Sequence, residues 1–220
     1  MKVVDIIQND PEVPIGVFGE LLEEWCVPFR LTRLDIGASL PAAADAVIVL
    51  GGTMGVHDDN LHPFLPLLKQ FMSRVQAEGT PLLGICLGAQ LLAEVAGGVV
   101  SSNACGERGL VAIKLTTAGK ADPLFTDIPD NFLAFQWHND SFTIPTGALH
   151  LAESAGCAGQ AFRIGNAWGV QFHPEVDGGI VAAWSNGLLT HEFALAEAAN
   201  RALARQLLVN FLATANLPTN

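Results

Sequence analysis

The stretch "TPLLGICLGAQLLAEVAGG", residues 80–98, decides the fold. Its apolar run, residues 81–85, reads as a buried strand, and "LGAQLLAEVAG" reads as a helix. Between them stands one cysteine, Cys86, with Gly84 and Gly88 two residues to either side. A buried strand that runs directly into a helix is the repeating unit of an open α/β sheet. In such sheets reactive groups sit beyond the carboxyl ends of the strands. A nucleophile on a sharp strand-to-helix turn projects above the sheet, and its neighbours two residues away must be small because the turn packs tightly. The helix that begins at Leu87 aims its N-terminus at the sulfur, where unpaired N–H groups and the helix dipole favour negative charge. The Leu87 N–H is also positioned to bond a developing oxyanion. Taken alone, the pentapeptide is equally well a buried cysteine in an ordinary glycine-containing turn.

The flanking sequence extends the same α/β pattern. "VVDII" reads as a first strand and "GVFGELLEEWC" as an amphipathic helix with Phe18, Leu21, Leu22 and Trp25 on one face. "FRLTRLD" is the next strand, and "AVIVLGG" is a buried strand ending in glycines. "PFLPLLKQFMSRVQAEG" is a helix opened by prolines and closed by Gly79. Strands alternating with helices imply a central, mostly parallel sheet flanked by helices on both faces. From about residue 109 the texture changes. "LVAIKL", "NFLAFQW", "ALHLAES", "QAFRI" and "AWGVQFH" are short strand-like runs separated by turn signals, and they predict a small added antiparallel section. "HEFALAEAANRALARQLLVNFLATAN" is a long closing helix. No internal repeat or low-complexity linker divides the chain, so residues 1–220 read as a single domain.

Composition narrows the function classes. Half of the residues are hydrophobic and 15% are charged, enough to build a sizeable core. Acidic residues outnumber basic ones 22 to 11, and a net charge of −11 repels phosphate backbones and anionic membranes. Neither nucleic acid nor a membrane is an expected partner. No apolar run reaches the length of a bilayer span, and the N-terminus lacks the pattern of a signal peptide. A cytoplasmic location is expected. The four cysteines (Cys26, Cys86, Cys105 and Cys157) form no C-x-x-C pair. They are expected as free thiols, mostly buried. There is no Walker A loop and no dinucleotide G-x-G-x-x-G.

Two further motifs bear on the cysteine. "AWGVQFHPEVDGG" closes a strand with His173, Pro174 and Glu175. A residue before proline is held extended, and an extended backbone puts residues i and i+2 on the same side. Glu175 is therefore able to orient the His173 imidazole, and with Cys86 the set forms a nucleophile–base–orienter triad. By itself, His-Pro-Glu is more often a surface turn. The other motif, "VIVLGGTMGVHDDN", runs a buried strand into Gly51 and Gly52. Paired glycines allow close backbone approach to a ligand or a positive φ, and the loop would supply a second oxyanion donor. The bland alternative there is a flexible loop.

"GICLGAQ", "GVQFHPE" and the Gly-Gly loop together resemble the class I glutamine amidotransferases of the cysteine-triad type. "FQWHNDSF" followed by "CAGQAFRIGNAWGVQFHPE" is similar to the stand-alone group that resembles the glutaminase domain of GMP synthase. The resemblance implies a flavodoxin-like sheet, with Cys86 as nucleophile, His173 as general acid and base, and Glu175 as its orienter. It also implies Gly52 and Leu87 as backbone oxyanion donors and Gln90 as a substrate contact. Where the family pattern reads Trp-His-Gly-Asp, this chain reads Trp137, His138, Asn139 and Asp140. Asn139 and Asp140 are then expected at the amino-acid pocket, and His138 as a residue that orders the loop or forms the pocket wall.

The implied reaction is hydrolysis of the γ-amide of glutamine, or of a γ-glutamyl small molecule, through a γ-glutamyl thioester. It needs no metal, nucleotide or organic cofactor. Two other readings stand beside it: a glutaminase subunit delivering ammonia to a separate synthetase partner, and a non-catalytic regulatory protein on this fold.

Overall fold

The computed structural model describes residues 2–218. The first half of the chain lays down β1 (Val4–Gln8), α1 (Val17–Glu24), β2 (Phe29–Arg33), β3 (Ala46–Val49), α2 (Phe64–Ala77), β4 (Leu82–Ile85) and α3 (Leu87–Val95). The second half adds β5 (Val100–Ser101), β6 (Glu107–Leu115), α4 (Thr117–Lys120), β7 (Asn131–His138), β8 (Ser141–Phe142) and β9 (Leu149–Ser154). It closes with β10 (Ala161–Ile164), β11 (Ala167–Val170), α5 (Gly178–Trp184) and α6 (Thr190–Thr214).

Nine strands form one mixed sheet in the order β2-β1-β3-β4-β11-β10-β9-β6-β7, and β5 pairs with β8 in a second, two-stranded sheet. The strands β2, β1, β3, β4 and β11 run parallel. The pairs β11·β10, β10·β9, β9·β6 and β6·β7 are antiparallel. The expected antiparallel section is present, and it continues the edge of the parallel sheet. The β10–β11 hairpin turns at Gly165, whose φ of 60° is the left-handed geometry that tight hairpins require.

The apolar strands face two cores because alternate side chains point to opposite faces. Ile6, Ile48, Leu83 and Ile85 pack with Phe18, Leu21 and Leu22 of α1 and Leu207 and Phe211 of α6. Ile7, Val47, Val49 and Leu82 pack with Leu65, Leu68 and Met72 of α2 and Leu91 and Leu92 of α3. Burial on both faces explains why β3 and β4 read as continuous apolar runs instead of alternating ones. A third, smaller cluster of Phe135, Val176, Val181 and Phe193, with Trp137 and Trp184 against it, lies beside the loops described next. Among the described residues, no helix is long and apolar enough to cross a membrane.

Candidate active site

The three sequence motifs meet because their strands are neighbours. β3, β4 and β11 are adjacent and parallel, with Ile85 in register with Val170. The residues just past their carboxyl ends, Gly51 and Gly52, Cys86, and His173, therefore gather at one end of the central strands. The Cys86 N–H donates to the Val170 carbonyl at 2.8 Å, tying the turn to β11.

Cys86 has φ 49° and ψ −106°, a conformation that non-glycine residues seldom adopt. Such strain persists only where the surroundings fix it, and here they do. A Cβ on Gly84 would lie 2.5 Å from the Gly88 carbonyl carbon. A Cβ on Gly88 would overlap the Val49 carbonyl oxygen. The two glycines flank the cysteine because helix and strand backbones touch there. Leu87 is the first residue of α3, so its N–H has no intrahelical acceptor.

The Gly-Gly loop follows the same rule. Neither Gly51 nor Gly52 has a positive φ, so close approach, and not conformational freedom, explains them. A Cβ on Gly52 would come within 2.8 Å of Leu87 Cδ2, and one on Gly51 within 3.1 Å of His173 Cε1. The loop is held from below by the segment after β1. Asn9 Nδ2 donates to the carbonyls of Leu50 at 2.8 Å and Gly51 at 3.3 Å, and Asp10 accepts from the Thr53 N–H at 3.1 Å and from its hydroxyl.

His173 and Glu175 are almost wholly buried, and the Nδ1–Oε1 distance is 2.7 Å. Burial alone, the largest influence, would lower the His173 pKa. The Glu175 charge and the Cys86 sulfur, with hydrogen bonds to both, reverse this and raise it to about 10. The imidazole is thus held by a carboxylate at Nδ1, with the Cys86 sulfur near enough to favour its charged form. The turn that carries Glu175 is pinned on two sides. The Val17 N–H donates to the Glu175 carbonyl at 2.8 Å. The buried Asn200 of α6 donates through Nδ2 to the carbonyls of Pro174 at 3.2 Å and Val176 at 2.9 Å. The Trp184 ring meets the His173 ring edge-on at 4.9 Å between centroids.

A cavity of about 870 Å³ opens over these groups. Cys86, His173 and Gly52 line it, as do the expected contacts Gln90, Asn139 and Asp140. Leu87 and Glu175 stand behind this lining, Leu87 buried in the core that holds α3 and Glu175 bonded to His173. Gln90 donates to the Asp140 carbonyl and to Gln171 Oε1, each at 3.2 Å, and Gln171 Nε2 lies 3.5 Å from Cys86 Sγ. The Asp140 carboxylate bonds away from Gln90, accepting from the Asn103 N–H at 3.0 Å. His138 contacts the Asp140 carbonyl at 3.0 Å and Glu107 at 3.3 Å, which makes it an ordered part of the pocket wall. Burial lowers its pKa, against the opposing pull of the Asp140 carbonyl and Glu107.

Some lining residues are not foreshadowed by the sequence motifs, Arg108 and Trp184 among them. Gln171, buried behind that lining and bonded to Gln90, is likewise not foreshadowed, although it sits two residues before His173, where the period of an extended strand would place it on the same side. The cysteines also differ from the expectation of mostly buried thiols: Cys86 and Cys157 are buried, Cys105 is partly so, and Cys26 is exposed. Cys26 follows the end of α1 with φ 52°, a chain-reversal position at the surface. Among the described residues, no group of three or more His, Cys, Asp or Glu side chains gathers as metal ligands would.

Known proteins resemble this chain in sequence and in fold. Residues 27–181 match the family model described as "Glutamine amidotransferase class-I". The chain is 36% identical over 145 residues to the glutamine-hydrolyzing GMP synthase subunit of Picrophilus torridus, covering 64% of this chain and 73% of that one. It is 30% identical over 164 residues to a gamma-glutamyl-L-1-hydroxyisopropylamide hydrolase of a Pseudomonas species, covering 69% and 52%. Against longer relatives such as the GMP synthase of Caldicellulosiruptor saccharolyticus, the match (37% over 133 residues) covers 59% of this chain and only 24% of that protein. The crystal structure of a glutamine amidotransferase from Methylobacillus flagellatus superposes with a TM-score of 0.89 at 26% identity, covering all of this chain and 97% of that one. The chain belongs to the class I glutamine amidotransferase family.

Proposed function

We propose that this chain hydrolyses the γ-amide of glutamine or of a γ-glutamyl compound through a covalent γ-glutamyl thioester on Cys86. The observation that carries this reading is the His173 ring, held at 2.7 Å by Glu175 on one nitrogen and lining the same cavity as Cys86. In the proposed reaction the Cys86 thiolate attacks the γ-carbonyl carbon, and the Gly52 and Leu87 N–H groups hold the resulting oxyanion. His173 gives its proton to the departing nitrogen as the C–N bond breaks, leaving the thioester and free ammonia or amine. Water then attacks the thioester and passes a proton to His173. The C–S bond breaks, and glutamate leaves with the thiolate restored. Gln90 and the loop at residues 137–140 would hold the glutamyl head.

The relatives support both versions of the leaving group. One is named as glutamine-hydrolysing, the other as a hydrolase of a γ-glutamyl amide. A cavity of about 870 Å³ falls in the range, about 300–1,000 Å³, that accommodates drug-sized ligands, and so exceeds what one free amino acid fills. Such a cavity has room for an amine larger than ammonia. The GMP synthase relative keeps a second reading in view, in which the chain delivers ammonia to a separate synthetase partner.

The test is hydrolysis by the purified chain of L-glutamine, γ-glutamyl alkylamides and γ-glutamyl dipeptides, with Cys86→Ala as control. We expect turnover of the larger amides at least equal to that of glutamine, and a loss of about 10⁶ in the variant. Activity that survives in Cys86→Ala would refute the nucleophile. Activity that appears only with a co-purifying synthetase would favour the second reading. Cys157 is not expected to substitute, because burial, with the nearby Cys105, pushes its thiol up to about 12.

A further inference from the structure

The cavity's wall contains one feature that hydrolysis of an amide bond does not require. Arg108, at the start of β6, lines the cavity, and among the described residues it is the only lysine or arginine that does. Its register partner across the strands is Trp137, and its guanidinium lies 4.7 Å from that ring's centroid. Nη1 donates to the His138 carbonyl at 2.5 Å and to the Glu107 carbonyl at 3.1 Å. Nη2 donates to Asn139 Oδ1 at 2.9 Å. The stacking and the hydrogen bonds fix a long, solvent-facing side chain in one orientation. An unconstrained surface arginine gives up considerable rotamer entropy to be held this way.

Asn139 acquires a specific task from this geometry. Its side-chain oxygen accepts from Arg108, so the asparagine steadies the cation at the cavity rim. With three guanidinium N–H groups bonded to these acceptors, the fork keeps N–H donors for a ligand, Nε–H among them. The His138 carbonyl and Asn139 belong to the loop whose next residue, Asp140, is bonded through its carbonyl to Gln90, one helical turn beyond Cys86. The cation is thus braced against the side of the cavity that faces Gln90. The lining also includes the apolar residues Val13, Pro14, Ile180, Ala183 and Trp184, together with Glu12 and Asn186.

We propose that Arg108, held by Asn139, the His138 carbonyl and the Trp137 ring, binds the free α-carboxylate of the γ-glutamyl head. This rests on the reading of the cavity as a γ-glutamyl amide hydrolase site. A planar guanidinium recognises a carboxylate through parallel N–H···O bonds, and a clamped one loses little further freedom in doing so. The substrate class follows: γ-glutamyl amides whose α-carboxylate is free, carried into a site where the leaving amine meets an apolar wall. Compounds whose α-carboxylate is blocked as an amide or ester would be excluded.

The experiment compares wild type, Arg108→Gln and Asn139→Ala on γ-glutamyl-p-nitroanilide, on the same compound with its α-carboxylate amidated, and on γ-glutamylglycine. Binding of L-glutamate to each protein is followed by calorimetry. We expect Arg108→Gln to raise KM for the free-acid anilide about ten- to a hundredfold, as loss of a charge-assisted bond does, with kcat changed far less. The amidated anilide should be a poor substrate for wild type and unaffected by the substitution. Asn139→Ala should move KM in the same direction by a smaller factor. Equal effects on the free and amidated anilides, or no effect on either, would overturn the assignment. So would a loss confined to γ-glutamylglycine, which would put the bound carboxylate on the leaving group. If wild type hydrolyses none of these compounds, the hydrolase reading fails. In that case, L-glutamate binding weakened in Arg108→Gln would still support the carboxylate site, and binding equal in the two proteins would refute it.

Discussion

Replacing Glu175 by glutamine removes one charge and almost no volume, and the structure sets the cost. Glu175 Oε1 is 2.7 Å from His173 Nδ1, and Oε2 is buried with no hydrogen-bond partner. A glutamine side chain has two ways to fit. In one, its oxygen accepts from Nδ1–H and its NH₂ group takes the place of Oε2, where a buried donor without a partner costs about 1–3 kcal/mol. In the other, the NH₂ faces Nδ1 and forces the proton onto the nitrogen that must receive it from Cys86. In both, the imidazolium loses a charge-assisted bond, roughly twice as strong as a neutral one. A combined penalty of about 3–5 kcal/mol on the charged imidazole corresponds to a loss of about two to four orders of magnitude in kcat. This is comparable to the loss of about 10⁴ when the orienting carboxylate of a Ser-His-Asp triad is made an amide. The Glu175 charge is also the foremost of the influences that raise the His173 pKa, so the substitution lowers that pKa. The basic limb of the kcat–pH profile should then move to lower pH. The assay is glutamate release across pH, with thermal unfolding to check the fold. A folded Glu175→Gln protein with kcat within about threefold of wild type and an unmoved basic limb would refute the argument and reduce the triad to a Cys86–His173 dyad.

Asn200→Ala should leave the buried Pro174 and Val176 carbonyls without their donor, lowering stability by about 2–4 kcal/mol, and should cut kcat about ten- to a hundredfold by freeing the Glu175 turn. Thermal unfolding measured beside kcat separates the two effects, and a lowered midpoint with normal kcat would make Asn200 purely structural. Stability should also depend on pH through His173. Its pKa is raised on folding from 6.5 to about 10, so its contribution is complete below about 6.5 and is lost as pH rises through about 10. The unfolding midpoint should fall across that window, and Cys86→Ala should flatten the fall because the Cys86 sulfur is among the groups that raise the pKa. An unchanged slope in that variant would contradict the pairing.

The parts of the site legible in the sequence are those fixed by local geometry. Gly84 announces the elbow because its backbone meets that of Gly88 within five residues, although Gly88 itself is required by its approach to Val49 on β3. Glu175 is legible from His173 because an extended backbone brings positions two apart to one side. The Gly165 hairpin and the buried β3 and β4 runs are local in the same sense. α5 carries a cap signal, since Asp177 accepts from the Ile180 N–H at 2.8 Å, but two glycines at the helix start depress its propensity and hide it. With α5 hidden, Trp184 and its contact with His173 are not legible either.

Arg108 marks where local reading ends. Its meaning depends on the register that sets it opposite Trp137, 29 residues later in the sequence, and no motif in either strand states that register. Asn139 shows the consequence. In the sequence it reads as a side chain added to the amino-acid pocket in place of glycine. In the fold it is an acceptor for a cation supplied by a different strand. The elbow at Cys86 can be read along the chain because one turn must be built in one way. The Arg108–Asn139 pair is introduced only by the folded sheet, so the departure from the family pattern at position 139 is interpretable only together with position 108.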